Sequence, residues 1–270
     1  PILNGIVRKK VLTGLGLQDT RIAISGSAPI PPELVAWYRS LGLELLEGYG
    51  MSENFCYSHM ARPGRVRAGY VGEPDPGCEV RISDVGEILV KSPADMLGYY
   101  LDEERTKESF TEDGFLKTGD RGEEDELRRL KITGRVKELF KTSKGKYVAP
   151  APIENLINTN HNVEVSCVSG SGRPAAYASI MLAPDKKAKL SDPAAKAAIT
   201  EELSALLDSV NSKIENYEEM QFFAVVKDEW QIENGFLTPT MKIKRNVIED
   251  TYEKKLDGWY ASKQKVVFED

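Results

Sequence analysis

The chain has 270 residues, 41% hydrophobic and 29% charged. That composition excludes disorder, a collagen-like repeat and a disulfide scaffold, and the length suits one large domain or two ordinary ones. The 42 acidic against 36 basic residues give a net charge of −6, a poor match to general nucleic-acid binding. The cysteines Cys56, Cys78 and Cys167 form no CxxC pair, so a structural zinc site is not expected and a reducing, cytoplasmic setting is the default. No apolar run reaches the ~18–20 residues of a membrane span, and the N-terminus lacks a signal-peptide pattern.

In chain order, residues 21–25 read as a short strand, followed by a Gly-Ser-Ala-Pro turn from Gly26. Pro31 and Pro32 open a helix, since the missing proline N–H costs nothing in the first turn, and Gly42 stops it. Residues 43–46 form a buried strand leading into Glu47-Gly-Tyr-Gly-Met-Ser-Glu53. Strand, helix, strand indicates an α/β unit. From about residue 69 to 133, short apolar segments at 79–82, 86–90 and 130–132 are punctuated by Gly, Pro and Asp, which predicts a β-rich region. After Gly134 the spacing predicts a helix at 152–158 and strands at 163–168 and 177–182. A helix opened by Asp192-Pro193 carries Ile199, Leu203, Leu206, Val210, Ile214 and Tyr217 on one face. A strand at 220–226 and a charged amphipathic helix from 243 to about 260 complete an α+β C-terminal domain.

Several familiar motifs fail. Gly14-Leu-Gly16 has Asp19 where a dinucleotide fingerprint needs its third glycine. Gly170-Ser-Gly172 precedes a strand rather than the helix that would hold a pyrophosphate, so it reads as a hairpin turn. Gly145-Lys146 lacks the rest of a phosphate loop, there is no GxSxG elbow, and His59 and His161 have no ligand-spaced neighbours.

Four other segments carry a signal together. In Gly48-Tyr-Gly-Met-Ser-Glu53, Tyr49 between glycines sits where a backbone can approach a ligand and a ring can stack on a base, and Glu53 could hold a hard cation. In Lys117-Thr-Gly-Asp120, an Asp after a tight turn could accept two hydroxyl protons, as a ribose diol requires. The cation-rich stretch from Gly134 to Glu154 reads as a solvated hairpin or as a linker contacting an anion. In Leu237-Thr-Pro-Thr-Met-Lys-Ile-Lys-Arg245, a lysine on a loop before a helix can act as a mobile point charge. Taken singly, a turn, a local acceptor, a solvated hairpin and a solvated helix start explain each of them as well.

In this order and at these separations the segments resemble the adenylate-forming (AMP-binding) superfamily of acyl-CoA synthetases, peptide-synthetase adenylation domains and luciferases. The resemblance covers essentially the whole chain. Gly26-Ser-Ala-Pro-Ile30 looks like the adenine-side loop, Tyr49-Gly-Met-Ser-Glu53 like the aromatic-Gly-x-Thr-Glu motif, and Asp113-Gly-Phe-Leu-Lys-Thr-Gly-Asp120 like the fatty-acyl signature. Gly-Lys-Tyr-Val-Ala-Pro from Gly145 and the Lys242 segment look most like long-chain fatty acyl-CoA synthetases.

The resemblance implies an α/β and α+β fold: residues 1–134 as the C-terminal portion of the large adenylate-binding domain (an α/β unit plus a β-rich subdomain), 135–137 as hinge, and 138–270 as a mobile α+β domain. It implies that ATP activates a fatty acid to acyl-AMP, which passes to CoA, with Mg²⁺ as cofactor. Gly26, Ser27 and Ala28 would line adenine, with Tyr49 and Gly50 on its other side. Ser52 would contact the α-phosphate or the carboxylate, Glu53 would bind Mg²⁺, and Asp120 and Arg135 would hold the ribose. Lys137 would be the hinge, Gly145 would lie by the pantetheine tunnel, Lys242 would be the mobile catalytic lysine, and residues 69–72 would wall the acyl pocket.

Ser52 replaces a commoner Thr, Met241 stands where many relatives have Gly, and the signature's usual Trp is absent after Arg121. The Ser/Thr/Gly-rich loop ending Pro-Lys-Gly that cradles the outer phosphates is not in this sequence. The chain also opens at Pro1 rather than Met. The expectation is therefore a part of a longer synthetase, inactive without its N-terminal half, with no nucleic-acid partner and with peripheral membrane contact left open. Two alternatives remain: an enzyme loading a carrier-protein pantetheine, or a non-catalytic adenylate-binding or interaction module, against which the joint presence of Glu53, Asp120, Arg135 and Lys242 argues.

Overall fold

The protein's structure, a computed structural model, describes residues 2–28 and 30–269. Pro29, in the expected adenine-side loop, and Pro1 lie outside the described residues. The chain divides into two compact units, Pro1–Lys137 and Glu138–Asp270.

The first unit opens with α1 (Ile2–Gly14), β1 (Ala23–Ser25), α2 (Pro32–Ser40) and β2 (Leu45–Tyr49), then short β3 (His59–Met60) and β4 (Glu73–Pro74). Pro32 starts α2 as expected. The helix ends because Gly42 takes φ +90°, which lets the Gly42 N–H reach the Arg39 carbonyl and the Leu43 N–H the Tyr38 carbonyl; this paired closure satisfies the last helical carbonyls. The chain then returns so that β2 runs parallel to β1, with Ser25 opposite Glu47. Strands β3 and β4 add antiparallel to this sheet. A second, antiparallel sheet follows, with β5 (Glu79–Ile82), β6 (Glu87–Lys91), β7 (Leu116–Glu124) and β8 (Leu130–Arg135) in that spatial order; α3 (Glu103–Glu108) lies between β6 and β7 in the chain. Ile88, Val90 and Leu130 are fully buried in the sheet.

The second unit begins with the hairpin β9 (Phe140–Lys141) and β10 (Tyr147–Val148), then α4 (Pro150–Ile157). It is organised by a sheet of β11 (Val163–Ser169), β12 (Ala176–Leu182), β13 (Met220–Val225) and β14 (Val266–Phe268). Between strands lie α5 (Pro184–Lys187), α6 (Pro193–Asn211), α7 (Arg245–Tyr252) and α8 (Leu256–Ser262). The period-2 pattern sorts β13 cleanly: Phe223 and Val225 pack with Ile153, Leu203 and Leu207 of α4 and α6, while Phe222 and Ala224 pack with Tyr252 and Trp259 of α7 and α8. With helices on both faces, the central strands β12 and β13 are apolar almost throughout. Gly170-Ser-Gly172 is the turn of the β11–β12 hairpin, with Gly172 at φ +68°.

Two helices depart from the expected ones. Helix α6 stops at Asn211, short of Ile214 and Tyr217, because the Asn211 amide bonds both backbone groups of Met220 (2.9 and 3.0 Å) and turns the chain into β13. Leu207 is fully buried on its core face, and Leu206 packs half-buried beside it. The single helix expected from 243 to 260 is broken by a 3-10 turn, Glu253–Lys255. That tighter winding rotates the second half, so Leu256 and Trp259 join Ile248 and Tyr252 in one core. Among the described residues no helix is long and apolar enough to cross a membrane.

Candidate functional site

The parallel register of β1 and β2 sends the loops that follow them out side by side. The crevice beyond the carboxyl ends of parallel strands is where open α/β sheets bind ligands. Gly26 sits in that crevice: a side-chain carbon there would lie 3.1 Å from the Gly48 carbonyl oxygen. Ser27 takes φ +68°, and Ala28 follows it on the exposed loop.

After β2, Gly50 allows a tight reversal, since a Cβ on it would fall 2.5 Å from the Cys56 Cα. The reversal carries a 3-10 turn, Ser52–Asn54, whose start is fixed by the Met51 N–H donating to the Asn54 side chain (2.9 Å). Ser52 is exposed on this turn. Glu53 is held from two sides: its carbonyl accepts the Met96 N–H (2.7 Å) and its Oε1 accepts the Tyr99 hydroxyl (2.8 Å). The Arg105 guanidinium stacks 4.0 Å above the Tyr99 ring.

Asp120 lies on β7, not after a tight turn. The β6–β7 register jumps between Leu89↔Lys117 and Glu87↔Arg121, and Gly119 takes φ +73°: residues 118–120 form a bulge, a device that re-aims a strand side chain. The bulge is secured by Gly119 N–H to the Glu87 carboxylate (2.9 Å) and by Thr118 hydroxyl to the Ile88 carbonyl (2.8 Å). Asp120 Oδ2 accepts the Tyr49 hydroxyl (2.7 Å), and Oδ1 accepts Arg135 Nε (2.9 Å) from the facing position on β8. Burial, then the Asp120 charge, holds the Tyr49 phenol well above its usual range, so it remains a donor. A carboxylate offers about four lone-pair positions; these two contacts use one on each oxygen.

Two buried groups flank this constellation. His59, 6.0 Å from Tyr49 ring to ring, is fully buried and pushed down to about 3 by burial, so it stays neutral. Glu47 is buried with Oε2 lacking a partner, and burial pushes its carboxyl up to about 7. Gly72, expected in a pocket wall, is also required by packing: with φ +97°, its Cβ position falls 2.1 Å from the Ala61 nitrogen.

In the second unit, Gly145 (φ +80°) closes the β9–β10 hairpin. Lys242 sits in a closed turn rather than a loose loop. Leu237 pairs with Ile243, the Thr238 N–H donates to the Lys242 carbonyl (2.8 Å), and the Lys242 N–H donates to the Thr238 hydroxyl (3.0 Å). Met241 adopts φ +62°, the left-handed conformation a glycine would take freely. Lys137 lies in the 3-10 turn Val136–Glu138.

The structure thus joins Tyr49, Asp120 and Arg135 by hydrogen bonds and sets the Gly26 loop against β2, while Glu53 is anchored by a separate contact. Tyr99 and Glu87 were not visible as site residues: each acts through a partner more than thirty residues away, and the strand pattern at 86–90 says nothing of what the Glu87 carboxylate bonds. Among the described residues no three metal-ligating side chains cluster. Glu53 offers one carboxylate, which fits Mg²⁺, a cation commonly held by one or two carboxylates plus substrate phosphates.

Both units have the fold of adenylation domains. The chain is similar to the adenylation domain of a carboxylate reductase from Mycobacterium chelonae (TM-score 0.75, 27% identity, 95% of this chain and 41% of that one). It is also similar to that of carboxylic acid reductase from Segniliparus rugosus in complex with AMP and a co-purified carboxylic acid (TM-score 0.70, 27% identity, 96% and 46%). The chain belongs to the AMP-binding enzyme family, which matches residues 1–100, with the family's C-terminal domain matching 138–264. Curated relatives include the long-chain-fatty-acid-CoA ligase FadD15 of Mycobacterium bovis (33% identity over 96% of this chain and 45% of the relative) and mouse long-chain-fatty-acid-CoA ligase 6 (31%, 93% and 40%). The chain spans less than half the length of these relatives.

Proposed function

We propose that this chain is part of a fatty acyl-CoA synthetase that first joins a fatty acid to AMP and then passes the acyl group to CoA. In the first step a carboxylate oxygen attacks the α-phosphorus of ATP and pyrophosphate leaves. In the second the CoA sulfur attacks the acyl carbon, the bond to AMP breaks and the thiol proton is released. The observation that carries this reading is the Tyr49–Asp120–Arg135 constellation at the carboxyl ends of parallel strands. A carboxylate with two firm donors and spare lone pairs suits a vicinal diol such as ribose.

The relatives' names support a long-chain fatty acid as the acid and CoA as the acceptor. Gly26, Ser27 and Ala28 line one side of adenine, and Tyr49 with Gly50 the other. Ser52 donates to the α-phosphate or the carboxylate. Glu53, oriented by Tyr99, holds Mg²⁺, which would neutralise phosphate charge when bound. Residues 69–72 contribute backbone to the acyl pocket, and Gly145 keeps the pantetheine path clear. Lys242 supplies a cation for adenylation, where charge builds on phosphate oxygens, and Lys137 is the hinge between half-reactions. The 270 residues by themselves do not adenylate, because the sequence holds no phosphate-cradling loop.

In the full-length protein, Lys242→Ala lowers fatty-acid-dependent ATP–pyrophosphate exchange by about a hundred-fold or more, leaving a measurable residual rate, and spares thioester formation from supplied acyl-AMP. Equal loss in both half-reactions overturns the assignment, and exchange by the 270-residue chain alone overturns its dependence on further sequence.

A further inference from the structure

We propose that Arg245 is a positioning residue for Lys242, clamping the base of the lysine turn to the core of the second unit through Glu154. The proposal rests on the reading of Lys242 as the adenylation lysine.

Arg245 is the first residue of α7 and lies three positions beyond Lys242. Its guanidinium forks onto Glu154 of α4, Nη1 to Oε1 at 2.7 Å and Nη2 to Oε2 at 3.0 Å. Nη1 also donates to the Val168 carbonyl on β11 (2.7 Å), while the Val168 N–H donates back to Glu154 Oε1 (2.7 Å). One side chain therefore ties α7 to α4 and β11. Nη2 also comes within 3.9 Å of the carboxylate of Glu138, the first residue of this unit. On the other side, the turn is fixed to Phe236, whose carbonyl accepts the Lys244 N–H (2.8 Å), and Phe236 is buried. Lys242 thus projects from a turn whose two ends are both pinned.

Stability alone does not account for this arrangement. Lys244 and Arg245 place two cations at a helix N-terminus, where the helix dipole disfavours positive charge, and no side chain caps that end. Burial opposes the charge on Arg245; the neighbouring Glu154 outweighs it and keeps the guanidinium charged. The Cys167 thiol beside it is pushed up to about 12 by burial and is neutral. Replacing a buried ion pair by apolar groups of the same volume is often neutral or stabilising. What a bidentate fork does give is a fixed distance and a fixed plane.

The test uses the full-length protein with Arg245→Lys, Glu154→Gln and each of these combined with Lys242→Ala. Arg245→Lys lowers kcat of fatty-acid-dependent ATP–pyrophosphate exchange by about ten-fold or more, as expected for a displaced catalytic cation. It leaves KM for ATP and thioester formation from acyl-AMP within about two-fold. In the Lys242→Ala background it has no further effect, because two groups acting as one are non-additive. Glu154→Gln, which keeps an acceptor for the Val168 N–H, behaves the same way. Hydrogen exchange accelerates at residues 237–244 and not in β11–β14. A loss that persists without Lys242, or exchange that accelerates across the whole unit, overturns the proposal by making Arg245 merely structural. If Lys242→Ala itself spares adenylation, the parent reading fails, and hydrogen exchange alone then decides whether the ion pair tethers the turn.

Discussion

Gly50→Ala probes the reversal on which the placement of Glu53 depends. Gly50 is not among the residues with positive φ, so alanine meets no conformational penalty and the effect is purely steric. The added carbon would lie 2.5 Å from the Cys56 Cα, 2.6 Å from its carbonyl carbon and 2.9 Å from its oxygen. Carbon pairs settle at about 3.5–4.0 Å, so the backbone must open by about 1 Å. It cannot open freely: the Cys56 N–H is bonded to the Met51 carbonyl (2.9 Å) and the Met96 N–H to Glu53 (2.7 Å). Overpacking of this kind costs about 1–3 kcal/mol, and each kcal/mol lowers the melting temperature of a unit this size by roughly 4 °C. The first unit should therefore melt about 4–12 °C lower. A shift of about 1 Å at Glu53 should cut adenylation about a hundred-fold. Gly64→Ala is the control: Gly64 has φ +75° with nothing within 4 Å of the added carbon, so only the left-handed penalty of about 1–2 kcal/mol applies and activity is unchanged. The assays are thermal melting of the chain and ATP–pyrophosphate exchange by the full-length protein. A Gly50→Ala protein that melts with the parent and exchanges at its rate refutes the reasoning.

Three further outcomes are expected. Burial pushes the Glu47 carboxyl up to about 7 from 4.5, partly offset by the Gly69 N–H, so the folded state binds more protons than the unfolded one between those values. Stability contributed by the protonated carboxyl is complete below about 4.5 and declines as pH rises through about 7, and Glu47→Gln flattens that decline in melts taken from pH 5 to 8. Thiol labelling of the native chain at neutral pH modifies exposed Cys56 first and Cys167, buried and pushed up to about 12, only on unfolding; early labelling of Cys167 contradicts the second unit's packing. Asp120→Ala in the full-length protein weakens AMP binding by about 10- to 100-fold, the scale of hydrogen bonds to a charged group, and unchanged affinity by calorimetry removes Asp120 from the nucleotide site.

The legible parts of the fold are those decided locally. The proline start and glycine stop of α2, the Asp192-Pro193 start of α6 and the apolar runs of β12 and β13 each lie within a few residues of their cause. The parts that were not legible turn on distant partners. Helix α6 ends where it does because Asn211 bonds Met220, and a helical period cannot signal its own interruption. The helix expected from 243 to 260 breaks so that one core can take both halves, a requirement set by β12 and β13 rather than by the helix itself.

The same distinction explains the site. Lys117-Thr-Gly-Asp120 has turn chemistry, and read alone it gives a turn. Pairing with β6 makes it a bulge instead, because Glu87, more than thirty residues upstream, supplies the acceptor that Gly119 needs. The glycine is right in both readings, since each requires a left-handed residue there. The difference lies in Asp120: after a free turn it would be a solvated acceptor, whereas on a bulged strand it is aimed at Tyr49 and braced by Arg135. Arg245 shows the converse. It closed the last segment of the resemblance without a role, because nothing in the order Lys-Ile-Lys-Arg says that the final cation is buried. Only Glu154, ninety-one residues away in sequence, makes it the clamp at the base of the lysine turn.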